Sequence, residues 1–288
     1  MTTTTATRYE IDVKDVEYLR HGDKPLLARI YQPRGAGPFP VIIDLHGGAW
    51  TKKDRTSDVA TCEGLARAGI VAVALDFRMP PQAKYPASIA DVNYAVRWCK
   101  TRATELKSRP DMVGILGVSS GGQQAMISAM RPADPRYAAL RGKAGVDAAL
   151  DASFDAAVRC VVLCWPVIDP LGRYEYAKQK IAAGDAKQAQ EWITAHDQYW
   201  ASEAEMAEGS PTRVLERGEK VLMPPVLYLQ GTADPAHPRP NLERFVAAGY
   251  LPQAGPELFS PPHEPRVETD VLGAAALEIG RASCRERV

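Results

Sequence analysis

The sequence predicts an α/β fold, with a mostly parallel central sheet, helices on both faces and a helical insertion late in the chain. Two observations carry this. Short, continuous apolar runs (VIIDL, IVAVAL, MVGILGV, VVLC) alternate with stretches of helical periodicity. Strands that apolar along their whole length must be buried on both faces, which is the signature of a parallel sheet wrapped in helices. The second observation is scale. The 288 residues, 45% hydrophobic and 24% charged, have ordinary globular composition, and an α/β unit of this length is commonly one domain.

Taken in order, residues 8–18 and 26–31 read as two strands joined by a turn at His21-Gly22-Asp23. A buried strand spans 41–45 and ends in glycines, and a helix over 56–68 is closed by Gly69. IVAVALDF at 70–77 is a second buried strand. Pro86 opens a helix carrying Ile89, Val92, Val96 and Trp98. A third strand at 112–119 runs directly into a helix from Ser120. Residues 131–157, rich in Ala, Asp, Pro and Gly, read as a surface loop with a weak helix, and the sheet resumes at 158–165. Residues 171–218 form a polar helical insertion, punctuated by aromatic residues, that is expected to cover the site. A strand over 226–234 and a helix over 240–248 follow. One domain is expected over 1–278.

The last ten residues, 279–288 (IGRASCRERV), back-translate to a widely used sequencing adapter read in one frame and are left out of the fold reading. A final helix opening near Asp270 is then expected to be cut short.

Thirty-five basic residues balance 35 acidic ones, which argues against nucleic acid as the main ligand. No apolar run of about 18 residues exists, so no membrane span is expected. The polar N-terminal sequence has no signal-peptide pattern, and the expected location is cytoplasmic. Five cysteines fit no disulfide framework. Cys160 and Cys164 fall on one face of a strand and read as buried free thiols, with no further ligands to make a metal site.

The chemistry is carried by a few short motifs. Gly117-Val118-Ser119-Ser120-Gly121 fits G-x-S-x-G at a strand-to-helix junction. A serine on so tight a turn is pushed above the sheet, and small residues at 117, 121 and 122 let strand and helix approach. Ser119 is therefore the expected nucleophile. His46-Gly47-Gly48-Ala49-Trp50 follows the first buried strand. Its N–H groups can converge on one point, as an oxyanion hole requires, and the expected donors are Gly48, Ala49 and Ser120. In chain order an acid and a base should follow the serine. Asp234, just past the apolar run VLYLQGTA, is the expected acid. Of five histidines, His21 lies in a hairpin turn, His46 in the oxyanion loop, and His196 in the insertion, facing solvent or the pocket rim. His237 is only three residues beyond Asp234, a spacing that reads as too short to reach Ser119. His263, in the proline-bounded loop PPHEP, is preferred as the base. Trp50 is expected to line the acyl or leaving-group side, and some of Trp192, Tyr199 and Trp200 to lie near substrate, with packing of the insertion onto the sheet an equal reading for these three. Asp76 and Arg78 read as a loop-fixing pair beneath the site.

These residues resemble the α/β-hydrolase superfamily, and within it the HGGxW carboxylesterase branch: hormone-sensitive-lipase-like carboxylesterases, kynurenine formamidases and bifunctional feruloyl and acetyl esterase-like proteins. HGGAW at 46–50, DFRMPPQAKYPASIADVNYAVRW at 76–98, GVSSGG at 117–122 and QGTADP at 230–235 carry the resemblance, which covers about 9–278. Related sequences continue the histidine as His-Gly-Phe, whereas here it is His263-Glu264-Pro265. The resemblance implies a Ser119–Asp234–His263 triad, no cofactor and no metal. The expected reaction is ester hydrolysis through an acyl-enzyme; no arginine cluster marks an anionic substrate, so neutral short-acyl or aromatic esters are expected, the partner being a small-molecule ester. An amide hydrolase (formamidase or peptidase) with the same triad, and a non-catalytic scaffold of the same fold, are the rival readings.

Overall fold

A computed structural model describes residues 8–140, 150–231 and 234–249. Two long strands, β1 (Ile11–His21) and β2 (Lys24–Pro33), form an antiparallel hairpin. Next come β3 (Val41–Leu45), α1 (Val59–Arg67), β4 (Val71–Leu75), α2 (Ala87–Thr101), β5 (Val113–Val118), α3 (Ser120–Met130) and the short α4 (Pro135–Ala138). After β6 (Val161–Cys164), four helices follow in succession: α5 (Pro170–Ala182), α6 (Ala186–Tyr199), α7 (Glu203–Glu208) and α8 (Pro211–Glu216). β7 (Val226–Leu229) and α9 (Arg239–Gly249) complete the described chain.

Among the described residues the strands form one seven-stranded sheet in the order β1-β2-β4-β3-β5-β6-β7. β2 meets β4 antiparallel, and every pairing from β4 to β7 is parallel. β3, β4 and β6 are buried along their whole length, as continuous apolar runs require.

Strand alternation splits the core in two. Ile43, Leu45, Val73, Ile115 and Leu163 face the large cluster beneath α2 and α3. Ile42, Ala72, Ala74, Leu116 and Val162 face a smaller one that takes in Cys62 and Leu65 of α1. Cys164 lies in that smaller cluster with Cys160 packed against it, and both are free thiols, in line with the one-face expectation.

The expected strands and helices are present with shifts of a few residues at their ends. β7 is shorter than its expected span, closing at Leu229. The expected final helix near Asp270 and the adapter-like tail lie outside the described residues. Asp76 and Arg78 do not pair with each other. Asp76 holds Arg55 at 2.9 Å, while Arg78 and His21 both bind the buried Asp91, at 2.8 and 2.9 Å. Each thus fixes a different segment near the sheet edge.

Candidate active site

Ser119 stands between the end of β5 and the start of α3 with φ 53° and ψ −114°. A non-glycine residue at positive φ is strained, so neighbouring contacts must hold it. The Ser119 N–H donates to the Cys164 carbonyl at 3.0 Å. Its own carbonyl accepts from the Gly122 and Val167 N–H groups at 3.0 and 2.9 Å. The tight crossing depends on Gly121. A Cβ there would stand 2.1 Å from the Leu45 carbonyl oxygen and 2.6 Å from that of His46.

The loop after β3 runs beside this turn. Gly48, Ala49 and Trp50 all have positive φ, at 100°, 52° and 62°. At Gly48 a side chain would collide with the Lys52 carbonyl at 2.2 Å. Among the described residues neither the Gly48 nor the Ala49 N–H finds an acceptor within the protein. The Ser120 N–H is at the first position of α3, where a helix leaves its donors free. The loop is joined to the turn by the Trp50 N–H, which donates to Ser120 Oγ at 3.2 Å. Trp50 Nε1 donates to Gln123 Oε1 at 3.0 Å, and Gln123 Nε2 in turn donates to the Gly209 carbonyl at 2.9 Å.

The histidine facing Ser119 is His237. Its Nε2 lies 3.0 Å from Ser119 Oγ, and its Nδ1 lies 2.9 Å from Asp234 Oδ2. The premise that the three-residue spacing keeps His237 from reaching Ser119 does not hold. Asp234 Oδ1 accepts from the Ala236 and His237 N–H groups at 2.9 and 3.3 Å. That turn folds the chain back so that one imidazole edge meets the carboxylate and the other meets the serine. The Gln230 amide donates to the His237 carbonyl and supports the turn from β7. Both triad-like side chains are nearly closed off, at 7% and 2% exposure, where a charge-assisted hydrogen bond gains strength. His263 lies outside the described residues.

His46 and His196 take other places. His46 is buried and stacked on Phe77 at 4.4 Å, with Nδ1 donating to the Gly47 carbonyl at 2.8 Å. Burial lowers its pKa and so favours the neutral ring. His196 does not face solvent. It is fully buried, Nδ1 donates to the Trp192 carbonyl at 2.7 Å, and burial followed by the nearby Arg173 charge lowers its pKa to about 3.

The four aromatics expected near substrate are buried packing residues. Trp50 is 0% exposed and lies flat against Tyr199 at 5.3 Å, with Trp200 edge-on at 5.6 Å. Trp192 carries the Arg173 guanidinium at 5.0 Å from its ring centroid. Packed rings of this size bury much apolar area: Tyr199 and Trp200 join the insertion to Trp50 in the loop after β3, and Trp192 packs within the insertion against Tyr176. Among the described residues no three His, Cys, Asp or Glu side chains converge to hold a metal.

The doubly flanked parallel sheet and the strained serine at its strand-to-helix junction define the chain as an α/β-hydrolase. The BD-FAE family model matches residues 29–246, and the chain belongs to that family. LipM of Mycobacterium tuberculosis, named a probable carboxylic ester hydrolase, is 34% identical over 102 residues, covering 35% of this chain and 24% of LipM. Carboxylesterase NlhH of the same organism is 32% identical over 127 residues, 43% of this chain and 39% of NlhH. The chain thus spans between a quarter and two fifths of the length of these relatives. Among solved structures, a hyperthermophilic esterase from Pyrobaculum calidifontis superposes with a TM-score of 0.63 at 22% identity, over 84% of this chain and 74% of that one. No helix among the described residues is long and apolar enough to cross a membrane.

Proposed function

We propose that this protein is a serine carboxylesterase acting on neutral short-acyl or aromatic esters through an acyl-enzyme. One observation carries the reading: Ser119 Oγ, the His237 ring and the Asp234 carboxylate stand in line at 3.0 and 2.9 Å. In this reading Ser119 Oγ attacks the ester carbonyl as His237 Nε2 takes its proton. Asp234 fixes the tautomer by accepting from Nδ1 and stabilises the imidazolium that forms. The oxyanion is received by the N–H groups of Gly48, Ala49 and Ser120, each worth about 3–4 kcal/mol of barrier. His237 then protonates the leaving alcohol, and a water deprotonated by the same ring releases the acid and restores Ser119. The mycobacterial relatives bear ester-hydrolase names, which supports an ester carbonyl as the target. Helices α5–α8 serve as the cap: Arg173 of α5 lines the same small cavity as His237, and the Tyr176 hydroxyl reaches the Pro235 carbonyl.

Hydrolysis of p-nitrophenyl acetate and butyrate, with Ser119→Ala, His237→Ala and His263→Ala side by side, tests the reading. Loss in the first two variants with His263→Ala active is the expected result. Loss in His263→Ala with His237→Ala active would return the base to His263. A folded parent that cleaves N-formylkynurenine but neither ester would favour the amide reading. A folded parent that cleaves nothing and does not label with a fluorophosphonate would be a scaffold.

A further inference from the structure

Arg173, on the first turn of α5, is 4% exposed. Burying a guanidinium is unfavourable unless a carboxylate and hydrogen bonds compensate. Among the described residues its Nε and Nη1 have no hydrogen-bond partner. Of the carboxylates near it in sequence, Glu175 is exposed and reaches Arg213 at 3.3 Å, and Asp169 is already paired with Arg213 at 3.0 Å and Arg244 at 2.9 Å and accepts from Ser210 Oγ at 2.9 Å. Only the Arg173 backbone N–H turns to Asp169, bonding its carbonyl. Asp234 acts on the Arg173 charge through space rather than by a direct ion pair. Burial lowers the Arg173 pKa to about 10 and the Asp234 carboxylate opposes that fall, so the side chain is a cation at neutral pH.

Arg173 also lines a cavity of about 10 Å³ with Tyr228, Gln230, His237 and Asn241. That is room for about one water. Gln230 Oε1, an acceptor without a partner among the described residues, belongs to the residue whose amide donates to the His237 carbonyl.

We propose that Arg173 is a positioning residue for the Asp234–His237 pair: its buried guanidinium, seated on Trp192 with Nε and Nη1 free of hydrogen bonds among the described residues, lines the cavity beside His237 and acts on the pair by its charge. This rests on His237 being the general base. The cation acts on His237 in two ways. Its charge attracts the Asp234 carboxylate, and it opposes a second positive charge on the imidazole. The other ionisable groups around it do not compete. Tyr228 is half-buried, and desolvation, then Asp234, pushes its pKa far up. His196 is held neutral by burial and by Arg173 itself. Asp169 is satisfied by its two arginines. The Ser119 hydroxyl faces the opposite edge of the ring.

The test compares Arg173→Met, which keeps the stem without the charge, with Arg173→Lys, which keeps the charge. Measurements are kcat and KM across pH, with folding followed by circular dichroism. Arg173→Met is expected to lose about tenfold to a hundredfold in kcat with KM unchanged, the scale of a small misplacement of a catalytic group. Its acid limb of kcat/KM should move upward by about half a unit to one unit, because the imidazole then keeps its proton to higher pH. Arg173→Lys should hold the parent's limb. Should Arg173→Met not fold, Arg173→Gln reads the same limb. An unmoved limb in either neutral variant, a loss confined to KM, or failure of both neutral variants to fold would overturn the assignment. If the parent itself neither hydrolyses ester nor labels at Ser119 with a fluorophosphonate, the proposed function fails. A labelled, active parent with unchanged Arg173 variants sinks the inference alone.

Discussion

Asp234 holds the His237 ring by its Nδ1, at 2.9 Å, and so turns the opposite nitrogen toward Ser119. Asp234→Asn keeps the shape but offers the ring an amide, which favours the wrong tautomer. We expect kcat for p-nitrophenyl acetate to fall by about 10⁴-fold with the fold intact. A loss below about tenfold would show that Asp234 does not orient the base.

The turn at Ser119 depends on contact between backbones. In Gly121→Ala the added methyl would meet the Leu45 and His46 carbonyl oxygens at 2.1 and 2.6 Å, and neither is the end of a flexible side chain. Strand and helix must separate, and overpacking of this kind costs about 1–3 kcal/mol or more. Displacing Ser119 by about 1 Å should remove about 10²-fold of activity. Thermal melts and the esterase assay on one preparation check both, and an unaffected kcat would sink the close-packing account.

The parallel sheet and the serine turn were legible in the sequence because each is fixed by local composition. Continuous apolar runs admit few other arrangements, and G-x-S-x-G at the end of one leaves little choice of geometry. The loop after β3 was legible for the same reason. His237 was not, because chain spacing says nothing of how a loop bends. Two N–H groups donated to Asp234 Oδ1 make the fold-back, and the DPAH string gives only a faint sign of it. The roles of Trp50, Trp192, Tyr199 and Trp200 were equally hidden, since an aromatic residue in an insertion suits a pocket wall and a core alike. Arg173 carried no motif. Its meaning comes from burial and from Asp169 being otherwise engaged.

Trp50 connects the loop after β3 to the insertion through its stack on Tyr199 and, by way of Gln123, to the Gly209 carbonyl. Trp50→Ala removes a fully buried ring and leaves Gln123 Oε1 without its donor. Truncations of this size cost about 3–5 kcal/mol. We expect a clear fall in the unfolding midpoint, and a fall in kcat larger than the change in KM, because the neighbouring Gly48 and Ala49 N–H groups lose their fixed aim. A change confined to KM would instead place Trp50 against the substrate.

His196 gives the fold an acid sensitivity that can be isolated. Burial and the Arg173 charge lower its folded pKa to about 3, against an ordinary 6.5. The unfolded chain therefore binds a proton between these values that the folded chain refuses. With more protons on the unfolded state, stability rises with pH through this window. The contribution is fully present above 6.5 and is lost as pH falls towards 3, on the order of a few kcal/mol in all. Denaturant melts between about pH 4 and 7 should show a steeper slope for the parent than for His196→Asn, whose side chain does not titrate. Carboxylates protonating at the acid end act on both proteins alike, so the difference between the slopes isolates the histidine. Coincident slopes would mean that His196 is protonated in the folded state as readily as in water, and that the Arg173 charge does not reach it.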